Sequence, residues 1–105
     1  MKNEEEFLGI LRKLEKNPKI SQRSLANDLG LSLGKLNYCI KELNKKRLVK
    51  MRNFSNNKKK LNYIYLLTPK GILKKTELMY FFLKRKAKEY EDIKREYEDM
   101  KNKSK

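Results

Sequence analysis

Apolar residues recur along this chain in blocks whose spacing changes from one stretch to the next. Phe7, Leu8, Ile10, Leu11 and Leu14 share one face of a 3.6-residue period, which predicts a helix over Glu4–Lys16. Asn3 stands at its N-cap position with Glu6 three residues on as a capping-box partner, and Glu4, Glu5 and Glu6 meet the positive end of the helix dipole. Asn17-Pro18 ends it, because the residue before proline disfavours the helical region. Ser21 then caps a short second helix, with Leu25, Ala26 and Leu29 facing inward and Ile20 stapled to Leu25. Gly30 follows where a left-handed residue is needed. The device repeats at once: Leu31 staples to Leu36, Ser32 caps, and a third helix runs from Leu33 to about Lys46 with Leu36, Ile40 and Leu43 toward the core.

Beyond Arg47 the pattern shortens. Val49, Met51 and Phe54 mark one strand and Asn62–Leu67 the return strand, with the polar run Ser55–Lys60 as the tip of the hairpin between them. Thr68-Pro69 opens a last helix, as N-cap followed by proline at the first helical position, and it continues to about Met100 with a frayed 101–105 end. Such a helix is roughly 45 Å long and cannot bury itself on so small a domain. Within it Ile72, Thr76, Met79, Leu83, Lys86, Tyr90, Ile93, Tyr97 and Met100 alternate spacings of four and three, the seam of a coiled coil with Thr76 and Lys86 as polar breaks. The expected fold class is mainly α with a small β-hairpin (α+β): a winged helix-turn-helix with a long C-terminal dimerisation helix. Residues 1–68 are expected to form the winged helix-turn-helix part and 69–105 the long helix, in one structural unit.

Charge sharpens this picture. The chain has 105 residues, 28 of them Lys or Arg against 13 Asp or Glu, for a net charge of +15. The excess is local: residues 1–34 carry +1, 35–60 carry +9, 61–88 carry +6 and 89–105 carry −1. The positive field begins in the third helix and runs through the hairpin, where a polyanion site would need it. With 38% hydrophobic residues the core is small, and some apolar surface is expected to meet a second subunit.

Other classes fall away. With one Cys and no His, neither a disulfide within the chain nor a Cys/His zinc site is available, so no metal and no cofactor is expected. No Gly-rich phosphate loop or supported acid pair suggests an enzyme. No apolar run of about 18 residues suggests a membrane span, and Met1–Glu6 is not a signal peptide, which points to a cytoplasmic protein.

Candidate contacts follow from the helix face turned away from the core. Lys35, Asn37, Tyr38 and Lys41 offer base and backbone contacts, since Lys donates to guanine acceptors and Asn pairs with adenine in bidentate fashion. Gly34 permits close approach, and Leu33 either meets a thymine methyl or packs back on the turn. Tyr38 either faces the nucleic acid or packs on the wing. Ser32 and the free amides of its helix start suit a phosphate. Arg52, Asn56, Lys58, Lys59 and Lys60 place the wing on the backbone or in the minor groove, giving affinity and register rather than sequence. Ile72, Met79, Leu83, Tyr90, Ile93, Tyr97 and Met100 form the dimer interface. Lys84, Arg85, Lys86 and Lys88 are charged flanks of that helix, or a second patch for DNA or anionic lipid. Cys39 reads as a small helix residue rather than a redox sensor.

These residues carry a resemblance. Ser21–Gly71 resembles a MarR-type winged helix. Within and beyond that span, Ile20-Ser21-Gln22-Arg23, Ser32-Leu33-Gly34-Lys35-Leu36-Asn37-Tyr38-Cys39, Tyr65-Leu66-Leu67-Thr68-Pro69-Lys70-Gly71-Ile72, Phe82-Leu83-Lys84-Arg85-Lys86 and Glu89-Tyr90-Glu91 are similar to the small MarR-family regulators associated with bacterial exopolysaccharide (EPS) gene clusters. The resemblance implies a dimeric bacterial transcription regulator, with the third helix as recognition helix and the hairpin as wing. Its partners are then double-stranded DNA, as a pseudo-palindromic operator with half-sites about 34 Å apart, and a second copy of the chain, with no membrane. A small-molecule effector is left open, because the chain departs from larger MarR proteins in having almost nothing before its first helix and one long helix after the wing. Two other readings stay beside this one: a winged-helix protein-interaction adaptor, and a charge-driven, sequence-independent nucleic-acid binder.

Overall fold

The computed structural model describes residues 3–54 and 62–104. The elements follow one another as α1 (Glu4–Lys16), α2 (Gln22–Leu29), α3 (Leu33–Lys45), β1 (Val49–Phe54), β2 (Asn62–Leu67) and α4 (Pro69–Lys103). The strands pair antiparallel, with Val49 opposite Leu67 and Phe54 opposite Asn62. The expected hairpin tip, Ser55–Lys60, lies outside the described residues.

The apolar spacing does what it predicts in the first three helices. Phe7, Leu8, Ile10, Leu11 and Leu14 of α1 are buried together with Leu25 and Ala26 of α2 and with Leu36, Ile40 and Leu43 of α3, while Leu29 packs at the edge. Each fully buried Leu or Ile contributes about 1.5–3 kcal/mol. Two polar devices hold the helix pair at its turn. Ser21 and Ser32 accept the amides of Ser24 and Lys35, each at 3.1 Å, and Gly30 takes the left-handed conformation (φ 67°) between them.

Three expectations are corrected. Asn3 occupies the N-cap position of α1 but its side chain does not cap; its Oδ1 accepts the Lys35 ammonium at 2.7 Å instead. The charged partner from α3 makes a stronger bond with that oxygen than a backbone amide of its own helix would. The α4 helix does not fray at residue 101 but runs to Lys103, with Ser104 as its C-cap. The α3 helix stops at Lys45 rather than Lys46 because the chain turns left-handed at Arg47 (φ 60°), where Leu48 donates back to the Leu43 carbonyl at 3.0 Å. A residue with a Cβ pays about 1–2 kcal/mol for that conformation, so the surrounding bonds must hold it.

Those bonds come from the start of α4. Thr68 donates its hydroxyl to the Arg47 carbonyl at 2.6 Å and accepts the Gly71 amide at 3.0 Å, and its own amide reaches the Leu48 carbonyl at 3.1 Å. Gly71 lies so close to Leu48 that a Cβ there would stand 2.0 Å from the Leu48 oxygen. Leu78, one residue off the coiled-coil seam, is the α4 side chain that enters the core. The ion pair Lys75–Glu15 ties the same stretch to α1. From residue 87 onward every α4 residue through 104 is exposed. No helix among the described residues is long and apolar enough to cross a membrane.

Candidate nucleic-acid interface

The α3 helix has two opposed faces. Leu36, Cys39, Ile40 and Leu43 are buried, and Leu33, Gly34, Asn37, Tyr38, Lys41, Asn44 and Lys45 are exposed. Leu33 and Tyr38, apolar or aromatic, keep 43% and 50% of their surface open, so neither is absorbed by the turn or by the described part of the wing. Ser32 spends its hydroxyl on the Lys35 amide, which fixes the helix start.

Lys35 is the exception on this face. Its ammonium is held by Asn3 and lies 5.5 Å over the Tyr38 ring, so the side chain is half-buried and lies against α1 rather than projecting freely. Lys41 and Lys45 on α3 are exposed, as are Lys50 and Arg52 of β1, which alternate with the groove-lining Val49 and Met51 and so lie on the other side of the strand. Arg52 is exposed, opposite Ile64 in the ladder. Asn56, Lys58, Lys59 and Lys60 lie outside the described residues.

A shallow groove of about 200 Å³ runs where α2, α3 and the hairpin meet, with Gln22, Asn37, Lys41 and Asn44 at its polar rim and Met51 and Tyr65 on its strand side. Gln22 and Asn44 are absent from the expected contact set. Asn44 follows Asn37 by seven and Lys41 by three, so the helical period that selects those two selects it as well. Gln22 is found only through the fold: its Nε2 donates to the Tyr65 hydroxyl at 2.7 Å, which joins the start of α2 to β2. The face therefore offers amides and an ammonium in one row, the groups that discriminate base edges.

Cys39 sits behind that face at 0% exposure. Burial pushes its thiol above the ordinary value; Lys35 pulls it down, and Glu6 and Glu42 push it up. A buried thiol held protonated packs as a small apolar group.

The dimer candidates are all open to solvent in the single chain. Ile72 and Met79 are 47% and 44% exposed, and Leu83, Tyr90, Ile93, Tyr97 and Met100 are 62–70% exposed. These exposed apolar side chains recur along α4 with Thr76 and Lys86 as the polar breaks between them.

Comparison with known proteins agrees with this geometry. Residues 8–50 match a family profile described as winged helix-turn-helix DNA-binding. No curated protein matches the sequence. Three solved structures share the fold. FabT of Streptococcus pneumoniae, in complex with DNA, is 18% identical with a TM-score of 0.60, over 83% of this chain and 59% of that one. A MepR mutant of S. aureus bound to an oligodeoxyribonucleotide is 16% identical with a TM-score of 0.64, over 98% and 78%. The PcaV transcriptional regulator of Streptomyces coelicolor, in complex with its natural ligand, is 17% identical with a TM-score of 0.57, over 85% and 70%. The chain thus spans somewhat less than two thirds of FabT, and at these identities the likeness is one of fold. The shared fold is a winged helix-turn-helix, and residues 8–50 are the part that matches the DNA-binding profile.

Proposed function

We propose that the chain is a homodimeric, sequence-reading regulator of transcription. In this reading α3 enters the major groove and the hairpin lies on the backbone or in the minor groove. The observation that carries it is the exposed row Asn37, Lys41 and Asn44, backed by a fully buried apolar face, inside the segment that holds most of the positive charge. The DNA-bound state of FabT and MepR supports the same reading. The first contacts come from Leu33, Gly34, Asn37, Tyr38, Lys41 and Asn44, with Arg52 and the Lys58–Lys60 run supplying phosphate contacts. Lys35 joins them only by giving up its bond to Asn3.

The two copies pair through the apolar ridge of α4, so the operator is an inverted repeat with half-sites a whole number of helical turns apart. Selection from a random double-stranded library at about 150–200 mM salt tests this, because non-specific attraction falls steeply there. Enrichment of an inverted repeat is expected. Retention without sequence preference would refute sequence reading and leave a charge-driven binder, and no retention at all would favour a protein adaptor.

A further inference from the structure

The middle of α4 is one wall of an open, mainly apolar groove of about 880 Å³, with Met79 and Leu83 on this wall and Leu8, Leu29 and Leu31 from α1, α2 and the following turn on the other; Glu5, Glu6, Arg12 and Lys86 also line it, two acidic and two basic groups that offset each other. Residues 87–103 extend past the groove as roughly 25 Å of helix that touches nothing in its own chain's core. That overhang carries a ridge of the same period: Tyr90, Ile93, Tyr97 and Met100. The molecule thus has an unfilled groove and an uncovered apolar ridge along the same helix.

Resting on the homodimer reading above, we propose that each copy's overhang fills the groove of the other, so that the two α4 helices pair antiparallel about residue 88. Charge decides the direction. Residues 76–87 hold three basic and one acidic side chain, net +2, and residues 89–100, which face them in a pair centred on residue 88, hold two basic and six acidic, net −4. Parallel pairing lays each half beside its own kind, and antiparallel pairing lays the basic half of one copy along the acidic half of the other.

Lys86 decides it a second time. It occupies a seam position, and in a parallel pair in register its ammonium would meet its own copy. Pairing about residue 88 sets it opposite Tyr90 of the second copy, where an aromatic face accepts a cation. Its neighbour Glu89, at 3.5 Å, remains within reach. The same centre places Met79 against Tyr97 and Leu83 against Ile93 of the second copy, and it brings Ala87, a small side chain, to the crossing. The winged domains then sit at opposite ends of the rod, with the two Gly71 positions about 50 Å apart along it. Half-sites more than one helical turn apart follow from that separation.

A nitroxide label on Asn102→Cys, read by pulsed dipolar spectroscopy on the full chain, tests the direction. Asn102 is exposed and at the far end of the helix, and buried Cys39 leaves unmutated protein as the unlabelled control. The antiparallel pair gives a label separation near 42 Å along the axis. A separation below about 20 Å would overturn the antiparallel pairing while keeping the dimer. Loss of the dipolar signal, with a monomer mass in light scattering, would overturn the pairing and the homodimer together.

Discussion

Replacing Gly71 with Ala sets two effects against each other, and the structure decides the sign. In an open helix position the change favours folding by about 1 kcal/mol, because alanine loses less backbone freedom than glycine. At Gly71 the added Cβ would stand 2.0 Å from the Leu48 oxygen, a backbone atom that cannot rotate away. Relief requires α4 and the Leu48 peptide to part by more than 1 Å, roughly the shortfall from ordinary contact. Overpacking of that kind costs about 1–3 kcal/mol. The same movement stretches the Thr68 amide bond to Leu48, now 3.1 Å, and loses about 1 kcal/mol more. The net expectation is a loss of about 1–3 kcal/mol. Gly34, with nothing within 4 Å of its would-be Cβ, is the control, and Gly34→Ala gains up to about 1 kcal/mol. Urea and thermal melts followed by circular dichroism, at one fixed protein concentration, read both variants. With shifts of about 4–8 °C per kcal/mol the two melts move in opposite directions. A Gly71→Ala protein as stable as Gly34→Ala would refute the close approach of α4 to Leu48.

Other outcomes follow from the same contacts. Ser32→Ala loses one cap and about 1 kcal/mol, whereas Thr68→Ala loses both a cap and the hydroxyl bond to Arg47 and costs about twice as much, so a smaller loss for Thr68 in urea melts would count against the junction. Because burial raises the Cys39 thiol above its ordinary value of 9.0, its share of stability is complete below that pH and is lost as pH rises through the folded value. Cys39→Ala should therefore flatten the alkaline fall in urea stability, and identical falls would contradict a buried thiol. Asn37→Ala should cost about 1–3 kcal/mol of discrimination at one base position. Replacing Lys58, Lys59 and Lys60 together by Ala should weaken all sequences alike and reduce the salt slope by up to about 2.7; an unchanged slope would remove the wing from the phosphates.

The helices α2, α3 and α4 were legible because each carries its own punctuation, and α1 because of its apolar period alone. Ser21, Gly30, Ser32 and Thr68-Pro69 are local signals, and each acts in the structure where its residue type implies. What escaped depends on contacts between elements. Arg47 is left-handed although it is not glycine, because Thr68 and Leu48 hold it from outside its own helix. Lys35 shares the exposed period of α3, but Asn3, 32 residues away, captures it. Leu78 reaches the core rather than the seam because α1 approaches α4 from that side. Gln22 joins the groove for the same reason, as its partner Tyr65 lies on β2. Asn44 follows from the helical period that carries Asn37 and Lys41.

The joint between Arg47-Leu48 and Thr68–Gly71 makes α3 and α4 a single bent lever. The α3 arm is about 20 Å long, so a tilt of 10° at the joint moves its tip by about 3.5 Å, close to the rise of one base pair. In the proposed dimer, a substitution along the rod that changes how the two chains cross would be felt at the tip as a change of register on the proposed DNA site. Binding-site preference in such a protein can therefore drift through residues that never come near the double helix.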